Sequence, residues 1–94
     1  MSAYNLTKSA DRVRLRADCQ AEIDAVNSGN WPRDINDSMR WLHAPTSCFL
    51  SPAHNQDIQR GYAARMCQAE IDNLDGVEKR IAEGDPDLAG WEGS

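Results

Sequence analysis

The sequence is short of the residues that usually build a hydrophobic core. Leucine, isoleucine, valine and phenylalanine together make up 15 of the 94 residues, and only one of them is phenylalanine. This fraction lies below the usual floor for a globular chain, although 12 alanines, three tryptophans and two tyrosines offset part of the shortfall. Because so little apolar surface can be buried, the free energy gained by burial exceeds the cost of conformational entropy by only a small amount. Self-association or a bound partner would supply the missing burial.

Long apolar runs are also lacking. The first eight residues contain no apolar stretch of the kind found in a secretory leader, and no stretch approaches the length of a membrane span. The three cysteines form no disulfide framework, so we expect free thiols in a reducing compartment. These absences predict a cytoplasmic protein that does not associate with membranes.

No motif for catalysis, metal binding or nucleotide binding is present. His43, Cys48 and His54 flank one loop, but their spacing matches no zinc knuckle, and a fourth ligand would have to come from Cys19 or Cys67. Glycine-rich phosphate loops and the Glu-x-x-His pairs of di-metal bundles are lacking as well. We therefore predict a non-enzymatic protein that needs no metal or cofactor.

Basic residues are outnumbered by acidic ones, 10 to 15, which gives a net charge of −5 and an isoelectric point near 4.8. Direct binding to nucleic acid is disfavoured because a phosphate backbone attracts cations. The opposite hypothesis, an acidic surface that imitates nucleic acid, remains a third alternative. Its candidate carboxylates are Asp18, Glu22, Asp24, Glu70, Asp72 and Asp75.

What the sequence does contain is an exact repeat of six residues. CQAEID stands at residues 19–24 and again at residues 67–72. In each copy, apolar residues follow the cysteine at i+4 and i+7, which places three residues on one helical face. These faces consist of Cys19, Ile23 and Val26 in the first copy, and of Cys67, Ile71 and Leu74 in the second. We predict that they form a helix seam, either within one chain or across a homodimer.

Capping residues and apolar periodicity predict three helices. The first covers about 7–28, with Thr7 or Ser9 as its cap, and the second covers about 32–44, with proline in its first turn. In the second helix, the inner face is predicted from the spacing of Ile35, Met39 and Leu42. The third helix covers about 51–83, and Gly76 favours a kink or break near Asp75 and Gly76.

The predicted fold is all-α, a small three-helix bundle in one domain over 1–94, with a long C-terminal helix and a short acidic tail at 84–94. The pattern leaves open whether the first and third helices run parallel or antiparallel. It also leaves open whether the tail is mobile, folds back on the bundle, or docks into a partner through Leu88 and Trp91.

For function, the first hypothesis is a small module that inhibits or regulates a larger protein through surface contact. Small acidic helical proteins of phages and mobile elements, including inhibitors of host defence, share this size and charge, although no family motif is matched. A structural subunit that acts by homo-oligomerising is the alternative. The candidate partner-binding residues are Trp41, Trp91, Leu88, Arg12, Arg16, Glu22, Glu70 and Asp72.

Overall fold

The structure is a computed structural model that describes residues 4–41, 44, 46 and 48–93. Helix α1 spans Ser9–Ser28, α2 spans Ile35–Arg40 and α3 spans Pro52–Ala82; a short 3₁₀ turn follows at Pro86–Leu88. The described residues are mostly helical and contain no strand, which confirms the all-α prediction. The molecule is elongated, about 50 × 24 × 20 Å, because two of the helices are long.

Helices α1 and α3 pack against each other in an antiparallel hairpin. Near the start of α1, Arg12 Nε lies 2.7 Å from Glu78 Oε1 near the end of α3. One turn later Arg16 pairs with Asp75, and further along the hairpin the side chain of Cys19 contacts that of Cys67. The sequence left this direction open. Because the helices are antiparallel, the two copies of the repeat run in opposite directions where their cysteines meet.

The core follows the contact between these two helices. Its buried residues are Cys19, Ala25, Trp31, Trp41, Ala63, Cys67 and Ile71, with Leu15, Ile23, Val26 and Tyr62 packed against them. Leu74 is also buried, one turn beyond Ile71. All six seam residues of the repeat therefore lie in or beside the interior of a single chain.

Helix α2 is shorter than predicted and begins later. The sequence predicts a start at Pro32, but the helix begins at Ile35, because the side chain of Asp34 accepts a hydrogen bond from the amide of Asp37 at 3.1 Å and so caps the first turn. Trp31 is drawn into the core instead. The helix also ends earlier than the predicted Ala44: its last residue is Arg40, and Ala44 is not helical. Leu42 and His43 lie outside the described residues.

Helix α3 begins where the sequence predicts, with Pro52 in the first turn and Ser51 accepting a hydrogen bond from the amide of His54 at 3.1 Å. It continues to Ala82 without a break at Gly76, so the expectation of an interruption there is wrong. Gly61 and Gly76 face open space, where the rest of the helix holds their backbone.

The start of α1 is capped from a distance. The cap position is Lys8, whose side chain makes no capping hydrogen bond, and neither Thr7 nor Ser9 takes the predicted role. The amide of Ser9 instead donates to the carboxylate of Glu92 at 3.0 Å. The amide of Glu92 also donates to the carbonyl of Thr7 at 2.8 Å. The acidic tail therefore folds back onto the beginning of α1.

Candidate functional site

An open cavity of about 400 Å³ lies between α1 and α3, next to the end of α2. We call it the central cavity. Its apolar wall is formed by Tyr4, Leu15, Trp41 and Met66; the two buried thiols Cys19 and Cys67 also line it, together with the charged side chains Asp18, Arg40 and Glu70. An apolar concavity with a few charged groups around it is typical of a binding site.

The two thiols of the central cavity interact with each other. Burial raises the pKa of the Cys19 thiol above its usual value. Burial and the neighbouring Cys19 together raise the pKa of Cys67 to about 12. Both thiols are therefore protonated at neutral pH and are poor nucleophiles, because the thiolate is the reactive form.

Glu22 of α1 is a buried acid that lies beside the cavity and next to Asp37 of α2. Glu22 is fully buried, and its Oε1 atom has no hydrogen-bond partner. Its other oxygen lies 3.5 Å from Nη2 of Arg33. Burial raises the pKa of Glu22, and the adjacent Asp37 raises it further through a hydrogen bond and through its negative charge. The protonated form of Glu22 therefore suits this position.

Asp37 is the acid that remains ionised. Its carboxylate accepts hydrogen bonds from the amide of Arg33 at 2.8 Å, from Nε at 3.0 Å and from Nη2 at 3.2 Å. Burial alone would raise its pKa, but the hydrogen bonds from Arg33 outweigh burial and hold the pKa below the usual value. The pKa of Glu22 is thus raised and that of the neighbouring Asp37 is lowered. Arg33 contacts both carboxyl groups, and these contacts anchor α2 to α1.

This anchoring turns α2 with its polar side inward. Ile35 and Met39, predicted to form the inner face, are 73% and 59% exposed, whereas Asp37 on the opposite side is buried. The prediction for these two residues is therefore wrong. Periodicity alone could not reveal the reversal, because the ion pair with Arg33 that drives it has no counterpart in an apolar pattern.

The aromatic anchors predicted for a partner lie mostly inside the protein. Trp41 is buried, and its ring meets the ring of Tyr62 edge to face, with centroids 5.7 Å apart. Leu88 and Trp91 are half-buried in the folded tail, where the amide of Trp91 donates to the carbonyl of Leu88 at 3.0 Å. Trp41 therefore contributes a cavity wall and does not project from the surface.

The two arginines predicted to contact a partner differ in burial. Arg12 is 2% exposed, and its guanidinium donates to Glu78 and to the carbonyls of Leu6 and Glu92. Arg16 remains partly exposed and pairs with Asp75. Since Arg12 is used to join the tail, α1 and α3, an acidic partner has no access to it in this fold.

The predicted acidic residues are likewise divided. Glu70 is half-buried at the central cavity, and Asp72 is exposed and accepts a hydrogen bond from Gln68 at 3.1 Å. The first copy of the repeat makes the equivalent surface bond, from Gln20 to Asp24 at 3.0 Å. The burial of Glu22 breaks up the row of carboxylates on which an imitation of nucleic acid would depend.

Two of the three loop residues considered for zinc are described by the structure. Cys48 and His54 are exposed, and His43 lies outside the described residues. Over the part of the chain that the structure describes, no three histidine, cysteine or carboxylate side chains converge as a metal site.

None of the helices described is both long enough and apolar enough to cross a membrane. Comparison with protein-family models, with curated proteins and with solved structures found no match.

Proposed function

We propose that this chain is a small non-enzymatic protein-binding module that inhibits or regulates a larger protein. The observation that carries this proposal is the central cavity, which is open and has an apolar wall. The raised pKa values of the two thiols inside it support binding over nucleophilic catalysis. Size and acidity support an accessory protein of the phage or mobile-element type, acting in a reducing compartment such as the cytoplasm.

The occupant that suits the cavity is an apolar side chain on a basic segment of the partner. Leu15, Trp41 and Met66 offer apolar contact, as a hot-spot pocket does. Asp18 and Glu70 place two negative charges beside them against the single positive charge of Arg40. The net charge of −5 over the chain would steer a basic partner towards this surface.

Selection from a displayed random-peptide library tests this proposal. The expected binders carry one large apolar residue flanked by lysine or arginine, since both features are complementary to the central cavity. Met66→Arg should abolish their binding by placing a cation in the apolar wall, and Glu70→Lys should weaken it by reversing a charge.

Glu83→Lys serves as the matched control, because it makes the same charge change on an exposed residue just after α3, outside the cavity. Selected peptides that bind Glu83→Lys as weakly as Glu70→Lys would show that net charge alone drives binding. Peptides that tolerate Met66→Arg would place the binding surface elsewhere and contradict the proposal.

The second candidate function is assembly through homo-oligomerisation, and the outward apolar side of α2 favours it. Ile35 and Met39 stand one turn apart on that side, both largely exposed. Sedimentation velocity over a wide concentration range should then show a dimer that Ile35→Glu combined with Met39→Glu converts to monomer. Val13→Glu is the control, since Val13 is also exposed but lies on α1. A wild-type monomer at every concentration would exclude this candidate.

A further inference from the structure

The thiols of Cys19 and Cys67 form a pair that the fold brings together from two helices. Each is the first residue of one copy of the repeat, and the antiparallel hairpin makes the two copies meet at this point. The two side chains share the buried core and line the same open cavity. They interact closely enough that each affects the ionisation of the other.

A third sulfur-containing side chain lines the same cavity. Met66 precedes Cys67 on α3 and lines the central cavity, and its side chain is 42% exposed. The side chains that carry two thiols and one thioether therefore line one cavity that opens to solvent. Such sulfur ligands are soft and polarisable, and they select soft cations, Cu(I) foremost.

The ligands at this position do not suit harder cations such as zinc. Zinc prefers four ligands in a tetrahedron, and the described residues bring no three histidine, cysteine or carboxylate groups together. Cu(I) differs because two thiolates can hold it, and a thioether can complete its coordination.

We infer that Cys19 and Cys67 bind one Cu(I) ion in the central cavity, with Met66 as a weaker third ligand. On binding, each thiol loses its proton to solvent and forms a sulfur–copper bond, and no electron is transferred. One Cu(I) with two thiolates carries a single negative charge, which Arg40 in the same cavity attracts and which Asp18 and Glu70 repel. The inference concerns the protein alone and does not depend on the partner proposed above.

Anaerobic titration of the isolated protein with Cu(I), in competition with the chromophoric chelator bicinchoninate, tests the site. We expect one Cu(I) per chain. Cys19→Ser and Cys67→Ser should each lose the ability to compete, while Cys48→Ser, which removes the exposed cysteine, should compete as well as the wild type. Met66→Leu should weaken binding by about 10-fold, as loss of a supporting group typically does. Equal losses in Cys48→Ser and in the other two cysteine variants would overturn the assignment.

A second measurement covers the case in which a serine variant fails to fold. Cys48→Ser protein, in which Cys19 and Cys67 are the remaining cysteines, is loaded with one Cu(I) and examined by X-ray absorption at the copper edge. A first shell made only of sulfur is expected. Nitrogen or oxygen ligands, or a copper ion shared between two chains in native mass spectrometry, would refute the inference.

Discussion

At the scale of single residues, the most consequential position is one that the sequence presents as an ordinary surface acid. Glu22 occupies the same place in the repeat as Glu70, yet Glu22 is fully buried while Glu70 keeps contact with solvent. The difference arises from Arg33 and Asp37, which meet α1 only at the first copy. Identical local sequences therefore acquire different electrostatics from their surroundings.

The first prediction is that Glu22→Gln stabilises the protein at neutral pH. The pKa of Glu22 in the folded state is raised above its ordinary value near 4.5, so its contribution to stability is complete below that value and is lost as pH rises through the raised pKa. Glutamine keeps the group neutral and can still donate to Asp37. Urea unfolding should show a gain of about 1–3 kcal/mol at pH 7.5.

At pH 4 the gain should largely vanish, because Glu22 is then protonated in the folded state and mostly protonated in the unfolded state. Glu83→Gln, which makes the same change at an exposed position, should leave stability nearly unchanged at both pH values. A destabilised Glu22→Gln protein at pH 7.5 would mean that the ionised carboxylate is needed there.

The second prediction concerns the buried guanidinium that joins three parts of the chain. Arg12→Met removes the pair with Glu78 and two hydrogen bonds to carbonyl groups. Chemical denaturation should show a loss of about 2–3 kcal/mol, less than for a fully buried pair because Glu78 keeps some solvent contact. Arg14→Met is the control: Arg14 pairs with Asp11 at the surface, so its removal should cost less than about 1 kcal/mol. Equal losses of stability in Arg12→Met and Arg14→Met would show that the buried contacts of Arg12 add no more than a surface ion pair.

At the scale of helices, capping residues in the sequence predict a helix end correctly where the end depends on residues close by in sequence. They fail where a residue distant in sequence satisfies the end of the helix. Ser51 and Pro52 begin α3 as predicted, because cap and proline act within one turn. For α1 the predicted caps are wrong, since the amide of Ser9 donates instead to the carboxylate of Glu92, more than 80 residues away in sequence. For α2 the predicted inner face is wrong, since burial of Asp37 outweighs the apolar periodicity.

The third prediction is that glycines within α3 can be replaced with a gain in stability. Gly61 and Gly76 lie inside the helix, and nothing stands within 4 Å of the point where a β-carbon would project. Gly61→Ala and Gly76→Ala should therefore each stabilise the protein by about 0.5–1 kcal/mol. Gly84→Ala is the matched control, because Gly84 has a φ of +75° and alanine is strained there. Thermal unfolding should show a higher melting temperature for the two helical variants and a lower one for Gly84→Ala. A loss of stability in Gly76→Ala would indicate that the helix needs flexibility at that point.

At the scale of the whole molecule, the repeat predicts which residues form the seam but not what the seam encloses. Helical periodicity places the six residues of the two repeat faces on one side of each helix, and in the structure these residues are buried or half-buried. The central cavity depends on how Trp41 and Tyr4 close over the hairpin, which involves segments far apart in sequence. Spacings within one helix carry no information about such a closure, so the candidate site emerges only from the three-dimensional fold.

The fourth prediction concerns the closure of the molecule by its tail. Glu92 accepts a hydrogen bond from the amide of Ser9 and also lies 3.4 Å from the ammonium group of Lys8. The hydrogen bond from Ser9, aided by the charge of Lys8, lowers the pKa of Glu92. Because the pKa of Glu92 is lowered, its ionised carboxylate stabilises the folded state at pH values above its ordinary pKa. This stabilisation is lost as the pH falls through the pKa of Glu92 in the folded protein.

Glu92→Ala should therefore speed hydrogen exchange at the first amides of α1, from Ser9 onwards, while the amides around Cys67 in the middle of α3 keep their protection. In the wild type, an NMR titration should show the Ser9 amide shift following the ionisation of Glu92, and this response should be missing in the variant. Glu83→Ala, an equal change at an exposed residue before the tail, should alter neither measurement. If the α1 amides exchange equally in Glu92→Ala and the wild type, the carboxylate of Glu92 does not cap the helix.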